Sequence, residues 1–276
     1  MKKLLILFIA ILLTGCSLIS KKHEVVISPE QVSNAIITDD NYLLNKYLSD
    51  GFPIDYDSNG ETLLKMVLEN NSLKSLSTLL DRGVDVETRD KSGKTPIFYV
   101  RSIEALELLI KDGANIDSYD KGGVNLLTYF IQNKPVSYSE LLIKNGVRLT
   151  DWDSLFWAVI SGDSKLIRDM ANAGANFSQK DDKGNYPIYY AYNQDNILEL
   201  LQVTKYNLNE KNLKNENVLG EVYLRAVADG YIDVVDKLIS LGVNPNYMSY
   251  GDSAISIARN NNEIEMLEYL KSKGIE

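Results

Sequence analysis

A glycine recurs along this chain at nearly constant spacing, each time at the end of an apolar helical pattern. The positions are Gly51, Gly83, Gly113, Gly146, Gly174, Gly242 and Gly274. Subtracting neighbours gives 32, 30, 33, 28, 68 and 32 residues, and the 68 is a double step with Asn207 in the vacant place. A period near ~33 residues indicates units that stack on one another, because one such unit cannot bury its apolar face alone.

The first fifteen residues have the pattern of a secretory signal. Lys2 and Lys3 precede an unbroken apolar run from Leu4 to Leu13, and small residues follow it. A charged start, a short apolar stretch and a small-residue site are the marks of a signal peptide. The run is shorter than the ~20 residues that a membrane-spanning helix needs. We therefore predict that residues 1–15 are a signal peptide that is removed.

Residues 13–16 read Leu-Thr-Gly-Cys and resemble a bacterial lipobox. The resemblance implies cleavage before Cys16 and acylation of this residue, so that residues 16–27 form a lipidated tether. Ser17 resembles the residue found in lipoproteins forwarded to the outer membrane, which implies an envelope protein facing the periplasm. Two other interpretations stay open: an uncleaved anchor helix, and a plain signal peptide with an incidental cysteine. Cys16 is the only cysteine of the chain, so no disulfide forms within it.

Two short motifs recur with the glycine period. The openings are Gly60-Glu61-Thr62-Leu63-Leu64, Gly93-Lys94-Thr95-Pro96-Ile97, Gly123-Val124-Asn125-Leu126-Leu127, Gly184-Asn185-Tyr186-Pro187-Ile188 and Gly251-Asp252-Ser253-Ala254-Ile255. The closings are Gly113-Ala114-Asn115-Ile116-Asp117, Gly174-Ala175-Asn176-Phe177 and Gly242-Val243-Asn244-Pro245-Asn246. Together they resemble the G-x-T-P-L opening and the G-A-d-v-N closing of ankyrin repeats.

The resemblance to ankyrin repeats implies the fold class and the division of the chain. The expected fold is all-α, an ankyrin-repeat solenoid of about eight helix-turn-helix units with short hairpin tips, over residues 28–276. The implied repeat units are 28–56, 57–89, 90–119, 120–150, 151–180, 181–211, 212–247 and 248–276.

Local chemistry agrees with helix ends at the expected places. Ser28 and Gln31 have the spacing of a capping box, which satisfies two backbone amides at a helix start. Thr62 and Thr95 stand where an N-cap oxygen is needed. Pro96 and Pro187 fall in a first helical turn, where a missing N–H costs nothing. The closing glycines suit a left-handed residue at the end of the second helix.

Four departures from the family pattern are visible. The unit 90–119 lacks about three residues between its helices, and the family's histidine in the first helix is absent throughout. The unit 181–211 ends in Tyr206-Asn207 without a glycine. The stretch 209–217 is unusually polar, which predicts an irregular stack there. The charged last unit is typical of a polar terminal cap.

Composition argues against catalysis, metal binding and nucleic-acid binding. The only histidine is His23, in the tether, so no Ser-His-Asp triad and no Cys/His metal cluster is available. No glycine-rich phosphate loop follows a strand, because the glycines belong to repeat turns. Removal of Lys2 and Lys3 with the signal takes the net charge from −9 to −11, which disfavours phosphate backbones. We predict no enzymatic activity, no cofactor and no metal site.

One column of residues is the candidate binding surface. The residue after the family's histidine position turns partly toward the concave face of a repeat stack. In this chain the column reads Met66, Tyr99, Tyr129, Trp157, Tyr190, Arg225 and Ile257. Aromatic residues and arginine are enriched at binding hot spots, so the first six are predicted to contact a partner. The alternative is that these side chains pack between adjacent inner helices.

These patterns together predict a membrane-anchored protein that binds another protein on its concave face. The chain resembles bacterial ankyrin lipoproteins paired with antibacterial phospholipase effectors of type VI secretion, which implies an immunity protein that neutralises such a lipase. The alternative function is an envelope scaffold or stress-protection protein that recruits a housekeeping partner. The adjacent gene separates the two: a lipase-like effector favours immunity, and a catalase-like neighbour favours stress protection.

Overall fold

A computed structural model describes residues 26–275, which divide into two compact parts after Asp85. The N-terminal part spans residues 26–85 and the C-terminal part spans 86–275. The signal peptide, Cys16 and His23 lie outside the described residues, so the predictions made for them stay predictions.

The N-terminal part holds two helix pairs and one small hairpin. Its elements are α1 (Pro29–Ile37), α2 (Asn41–Ser49), β1 (Asp57–Ser58), β2 (Glu61–Thr62), α3 (Leu63–Asn70) and α4 (Leu73–Asp81). The two strands are antiparallel, with Asp57 opposite Thr62. Helix α1 begins with the predicted capping box: the Ser28 amide donates to Gln31 Oε1 at 2.9 Å, and the Gln31 amide donates to Ser28 Oγ at 3.3 Å.

The C-terminal part holds six helix pairs. Its elements are the 3-10 helix Pro96–Tyr99, α5 (Ile103–Lys111), α6 (Leu126–Asn133), α7 (Val136–Lys144), α8 (Trp152–Ile160), α9 (Ser164–Asn172), the 3-10 helix Pro187–Tyr190, α10 (Gln194–Val203), α11 (Val218–Ala228), α12 (Ile232–Ser240), β3 (Met248–Ser249), β4 (Asp252–Ser253), α13 (Ala254–Asn260) and α14 (Ile264–Ser272). The eight helix pairs of the two parts confirm the all-α class that the resemblance to ankyrin repeats implies.

Apolar residues at helical spacing form the core between the helix pairs. In α12 the buried side chains are Val234, Val235 and Leu238. Leu126 and Leu127 of α6 and Leu166 and Ile167 of α9 are buried in the same way. Burial of one such side chain contributes about 1.5–3 kcal/mol. In a helix such as α12 the opposite side stays available for polar residues.

Two of the first helices are short 3-10 turns and not α-helices. Both Pro96–Tyr99 and Pro187–Tyr190 begin with the predicted proline. The short turn accounts for the missing residues of the unit 90–119. The unit 181–211 has the same short turn, although its length did not predict one.

The two threonines predicted as N-caps differ. Thr62 Oγ1 accepts a hydrogen bond from the Lys65 amide at 3.1 Å, as a cap should. Thr95 stands at the corresponding position before Pro96, but its buried hydroxyl has no hydrogen-bond partner among the described residues. The prediction that Thr95 supplies a side-chain cap oxygen is therefore wrong, because the Phe98 amide donates to the Thr95 carbonyl at 3.1 Å and not to its hydroxyl.

The closing glycines adopt the predicted left-handed conformation. The φ angles are +104° at Gly51, +74° at Gly83, +91° at Gly113, +81° at Gly146, +100° at Gly174, +100° at Gly242 and +74° at Gly274. Asn207 does not belong to the non-glycine residues with positive φ. Helix α10 instead ends at Thr204 in an extended conformation (φ −129°, ψ 135°). Asn207 therefore stands where the repeat spacing places a glycine, but its backbone does not adopt the left-handed conformation of the closing glycines.

Four repeat units of the C-terminal part open with the same five-residue turn, which we call a tip. The tips are 90–94, 120–124, 181–185 and 212–216. In each, the first residue's amide donates to the fifth residue's carbonyl at 3.0 Å. The first side chain, Asp90, Asp120, Asp181 or Asn212, accepts hydrogen bonds from the amides of the third and fifth residues.

Neighbouring tips are also bonded to one another. The Lys121 amide donates to the Ser92 carbonyl, and the Leu213 amide donates to the Lys183 carbonyl, both at 2.8 Å. A Cβ on Gly93 would lie 2.8 Å from the Lys121 amide nitrogen, so only glycine fits this approach. The polar stretch 209–217 contains one of these regular tips, with Asn215 at φ +64° in the glycine position. The irregularity predicted for it is not found in the tip.

Candidate partner-binding face

The column of predicted contact residues lies on the first helix or 3-10 turn of successive repeat units. Met66 belongs to the N-terminal part, and the others belong to the C-terminal part. All of them are half-buried: Met66, Tyr99, Tyr129, Trp157, Tyr190, Arg225 and Ile257. Each side chain thus keeps some surface toward solvent while the rest of it packs against protein.

Tyr99 and Tyr190 are held by the aspartate that begins their own tip. The Tyr99 hydroxyl donates to the Asp90 carboxylate, and the Tyr190 hydroxyl donates to the Asp181 carboxylate. The spacing is nine residues in both cases. Burial and the bond to Asp181 raise the pKa of Tyr190 to about 12, because the phenolate would lie beside a carboxylate in a partly desolvated place. Both rings therefore have a fixed orientation.

The same bond affects the aspartate. Burial alone would raise the pKa of Asp90, but hydrogen bonds from Tyr99, Ser92 and Lys94 outweigh it and hold the pKa below its ordinary value. The aspartate that shapes the tip also positions the ring, so one side chain links the turn to the column.

Tyr129 lies between a cation and a ring. Lys94 Nζ is 4.3 Å from the Tyr129 ring centroid, and the Phe98 ring centroid is 5.3 Å away. Lys94 and Phe98 both belong to the preceding repeat unit. A lysine above an aromatic face contributes about 0.5–1 kcal/mol at exposed sites. The Tyr129 ring thus packs against the preceding repeat unit and stays partly exposed to solvent.

Four aromatic rings form one cluster in the middle of the column. The Tyr190 ring is 5.2 Å from Phe156 and 6.1 Å from Trp152, and Phe156 is 5.6 Å from Trp157. Three of the rings belong to α8, and Tyr190 reaches them from the next unit. Contacts of this kind contribute about 0.5–1.5 kcal/mol beyond area burial.

Arg225 on α11 binds backbone of the preceding unit. Its Nη1 donates to the Tyr189 carbonyl at 2.7 Å, and its Nη2 donates to the Ile188 carbonyl at 3.4 Å. These carbonyls lie at the end of a 3-10 turn, where the backbone leaves acceptors without partners. Burial lowers the pKa of Arg225 below its ordinary value.

The contacts therefore combine both interpretations of the column. The rings and Arg225 pack between adjacent units, as the alternative predicted, and each keeps a solvent-facing side. Their role in partner binding stays a prediction.

A groove of about 420 Å³ lies beside Arg225, between the seventh and eighth repeat units. Its walls come from the 3-10 turn of the sixth unit, from α11, and from the hairpin and α13 of the eighth unit. The polar side chains that line it are Tyr189, Glu221, Arg225, Ser249, Tyr250, Asp252 and Asn261. Ile257 of the column and Leu224 also line it. The groove is thus a continuation of the candidate face.

The groove has an acidic border. Hydrogen bonds from Asn212 and Tyr250 lower the pKa of Glu216, so this carboxyl is ionised at neutral pH. Tyr250 Oη donates to Glu216 Oε1 at 2.6 Å. Burial, and after it the charges of Glu216 and Glu221, raise the pKa of Tyr189. Within residues 26–275, neither Glu216 nor Glu221 forms an ion pair with a lysine or arginine.

Sequence reasoning missed the apolar side chains beside this groove. Leu213 is 79% exposed, Met248 56% and Tyr250 86%. Leu213 occupies a tip position that is polar in the other three tips, and Tyr250 precedes the glycine of the last opening motif at φ +49°. The sequence did contain a sign of this surface, because a large apolar residue is unusual among residues that form a turn.

Other site types are not found in the part of the chain that the structure covers. Among residues 26–275 no group of three histidine, cysteine, aspartate or glutamate side chains could hold a metal ion. No helix in this range has the length and apolar character needed to cross a bilayer.

Comparison with solved structures places this architecture among ankyrin repeats. The ankyrin repeat domain of Bcl-3, described as a unique member of the IkappaB family, is similar over 76% of this chain and 97% of its own, with a TM-score of 0.62 and 17% identity. The human ASB11 ankyrin repeat domain is similar over 79% of this chain and all of its own (TM-score 0.59, 16% identity). No family model and no curated protein matches the sequence. The likeness confirms the predicted ankyrin-repeat fold.

Proposed function

We propose that this chain is a membrane-anchored, periplasm-facing protein that binds another protein through its column and tips. The observation that carries the proposal is the half-exposed aromatic column, whose rings are fixed by neighbouring units and by tip aspartates. Fixed rings lose little side-chain freedom when a partner binds, which favours affinity. The ankyrin-repeat fold supports protein binding in general, and the lipobox resemblance at Cys16 supports the anchor.

The specific function that we propose is immunity against a secreted antibacterial phospholipase. A lipid at Cys16 and a tether of about eleven residues, each reaching at most ~3.3–3.6 Å, would hold the binding face close to the membrane. An inhibitor in that place meets a lipase at its substrate. The proposal rests on resemblance to bacterial ankyrin lipoproteins and on the binding face.

Affinity capture tests the binding function. The full-length chain, purified from membranes in detergent, is used to capture envelope proteins, and the captured proteins are identified by mass spectrometry. Trp157→Ala with Tyr190→Ala should reduce capture of the specific partner at least tenfold, because both rings are half-exposed parts of one cluster. Tyr42→Ala is the matched control, since this 77% exposed ring lies on α2 and not in the column. Equal capture by all three proteins would contradict the proposed face.

Circular dichroism separates binding from folding in that experiment. The double variant should keep its helical signal, and a loss of helicity would mean that the rings act only as core.

Competition between cells tests the immunity function. A strain that lacks the gene should be killed by a sibling that delivers the cognate effector, and a plasmid copy should restore survival. A Cys16→Ala copy should protect less, because the unanchored protein is not held at the membrane. Survival of the deletion strain would exclude immunity and leave the scaffold or stress-protection function.

A further inference from the structure

The groove between the seventh and eighth repeat units has two properties that the column does not account for. It is bordered by Glu216, Glu221 and Asp252, which form no ion pair within residues 26–275, and the exposed Tyr250 lines it, with exposed Leu213 and Met248 on the turns next to it. We propose that this groove receives a lysine or arginine side chain of the protein partner, flanked by apolar residues that contact Leu213, Met248 and Tyr250. The proposal rests on the proposed binding function and names the chemistry that the partner must supply.

Charge complementarity identifies the occupant. Glu221 and Asp252 line the groove, and Glu216 borders it through its bond to Tyr250. Arg225 is the one cation among the lining residues, and its guanidinium is already bonded to the Tyr189 and Ile188 carbonyls. Two of the three guanidinium nitrogens of Arg225 are thus committed to carbonyls, while its buried Nε has no partner among the described residues, and the carboxylates outnumber this one cation. A cationic side chain would gain charge-assisted hydrogen bonds there.

The aromatic walls favour the same occupant. Tyr189 lines the groove on one side and Tyr250 on another, and their hydroxyls are directed to carboxylates. The ring faces attract a lysine or arginine head by their quadrupole. The apolar stem of such a side chain would pack on Ile257 and Leu224, which line the groove.

Exposed apolar residues give the flanking specificity. Leu213 belongs to the tip 212–216, whose Glu216 bonds Tyr250 of the next hairpin, so the two exposed side chains belong to adjacent, linked turns. Met248 lies two residues before Tyr250 and is also exposed. Large exposed apolar side chains on linked turns provide apolar surface that a partner segment can cover. A partner segment with apolar residues beside its cation would cover both features at once.

Selection from a peptide library tests the proposal without a known partner. Random twelve-residue peptides displayed on phage are selected against the full-length chain in detergent. The expected peptides carry lysine or arginine next to an apolar residue. Glu221→Gln with Asp252→Asn should weaken the selected peptide at least tenfold, measured by fluorescence anisotropy. Both substitutions remove the charge and keep an amide oxygen. The Tyr247 hydroxyl can therefore still donate to residue 221, and the Ser256 hydroxyl to residue 252.

Two comparisons make the result specific to the groove. Glu107→Gln with Glu268→Gln makes the same change in net charge at two exposed positions, and this variant should bind as the wild type does. Replacing the peptide's cation by glutamine should weaken binding to the wild type tenfold and binding to the Glu221→Gln, Asp252→Asn variant hardly at all. Tyr250→Ala removes a ring that is 86% exposed, so this third groove variant should fold as the wild type does.

The outcomes separate this proposal from the binding function. Peptides without a cation, peptides that bind the groove variant equally well, or no enriched peptide would each overturn the groove proposal. A captured envelope partner that is insensitive to the groove variant would overturn it too, while the binding function stands. Basic peptides that depend on the groove, with no captured partner, would support the groove and count against the binding function.

Discussion

Single residues connect the tips of this chain to its candidate binding face. Tyr190 is the clearest case, because its hydroxyl bonds the aspartate that builds its own tip, nine residues earlier. The bond adds to the orientation that ring packing on Phe156 and Trp152 already gives this side chain. The residue thus contributes to stability and to the shape of the face through one atom.

We predict that Tyr190→Phe lowers the free energy of unfolding by about 1–2 kcal/mol near pH 8, because a hydrogen bond to a charged group is lost. The difference from the wild type should shrink between pH 10 and 12. In this window the unfolded tyrosine ionises near its ordinary pKa of 10.0, while in the folded protein the pKa is about 12. The unfolded state then binds fewer protons than the folded state, so wild-type stability falls as pH rises.

Urea unfolding at pH 8, 10 and 11, followed by fluorescence, measures this difference. Tyr129→Phe is the matched control, since the Tyr129 hydroxyl has no hydrogen bond in the described part of the chain, and it should change stability little. A gap between wild type and Tyr190→Phe that stays constant from pH 8 to pH 11 would show that the bond to Asp181 is not formed.

At the scale of elements, the two threonines at helix starts provide a matched pair. Thr62→Ala should cost about 1 kcal/mol, because α3 loses its cap to the Lys65 amide. Thr95→Val should be neutral or stabilising, because it replaces a buried hydroxyl without a partner by a methyl of similar shape. Chemical denaturation of both variants checks the pair. Equal losses would mean that Thr95 also caps its turn.

Two asparagines test the turn geometry in the same way. Asn215→Gly should stabilise by roughly 0.5 kcal/mol, because its φ of +64° suits glycine better. Asn207→Gly should destabilise by a similar amount, since the backbone there is not left-handed and glycine gains freedom in the unfolded chain. Thermal unfolding measures both. Stabilisation by Asn207→Gly would restore the closing role that the glycine count suggests.

The elements also show what sequence reasoning can and cannot reach. Period, prolines and closing glycines predicted the helix pairs, because they follow from local backbone chemistry. The 3-10 turn at Pro187–Tyr190 was not predicted, since the length of its unit gives no sign of it and the Arg225 guanidinium that bonds the Tyr189 carbonyl comes from another unit. The exposed fraction of the column side chains could not be predicted from one sequence either. It depends on how closely rings from neighbouring units pack, as Phe156 and Tyr190 do.

For the whole molecule, the dominant property is negative charge, −9 for the full sequence. We expect association with the partner to be fastest at low salt and to slow by roughly tenfold between 50 and 500 mM, because an acidic surface steers a basic partner. Dissociation should change much less. Stopped-flow or surface-plasmon measurements with the captured partner give both rates. An association rate that is independent of salt would exclude electrostatic steering.

The tips have a further consequence. Their backbone bonds depend on the first residue and on the left-handed fourth, while the second and third residues are exposed in every tip: Lys91-Ser92, Lys121-Gly122, Asp182-Lys183 and Leu213-Lys214. The hydrogen bonds that close each turn join backbone groups to one another and to the side chain of the first residue. Under the binding function proposed above, these exposed pairs are where the surface offered to a partner can change while the scaffold stays the same.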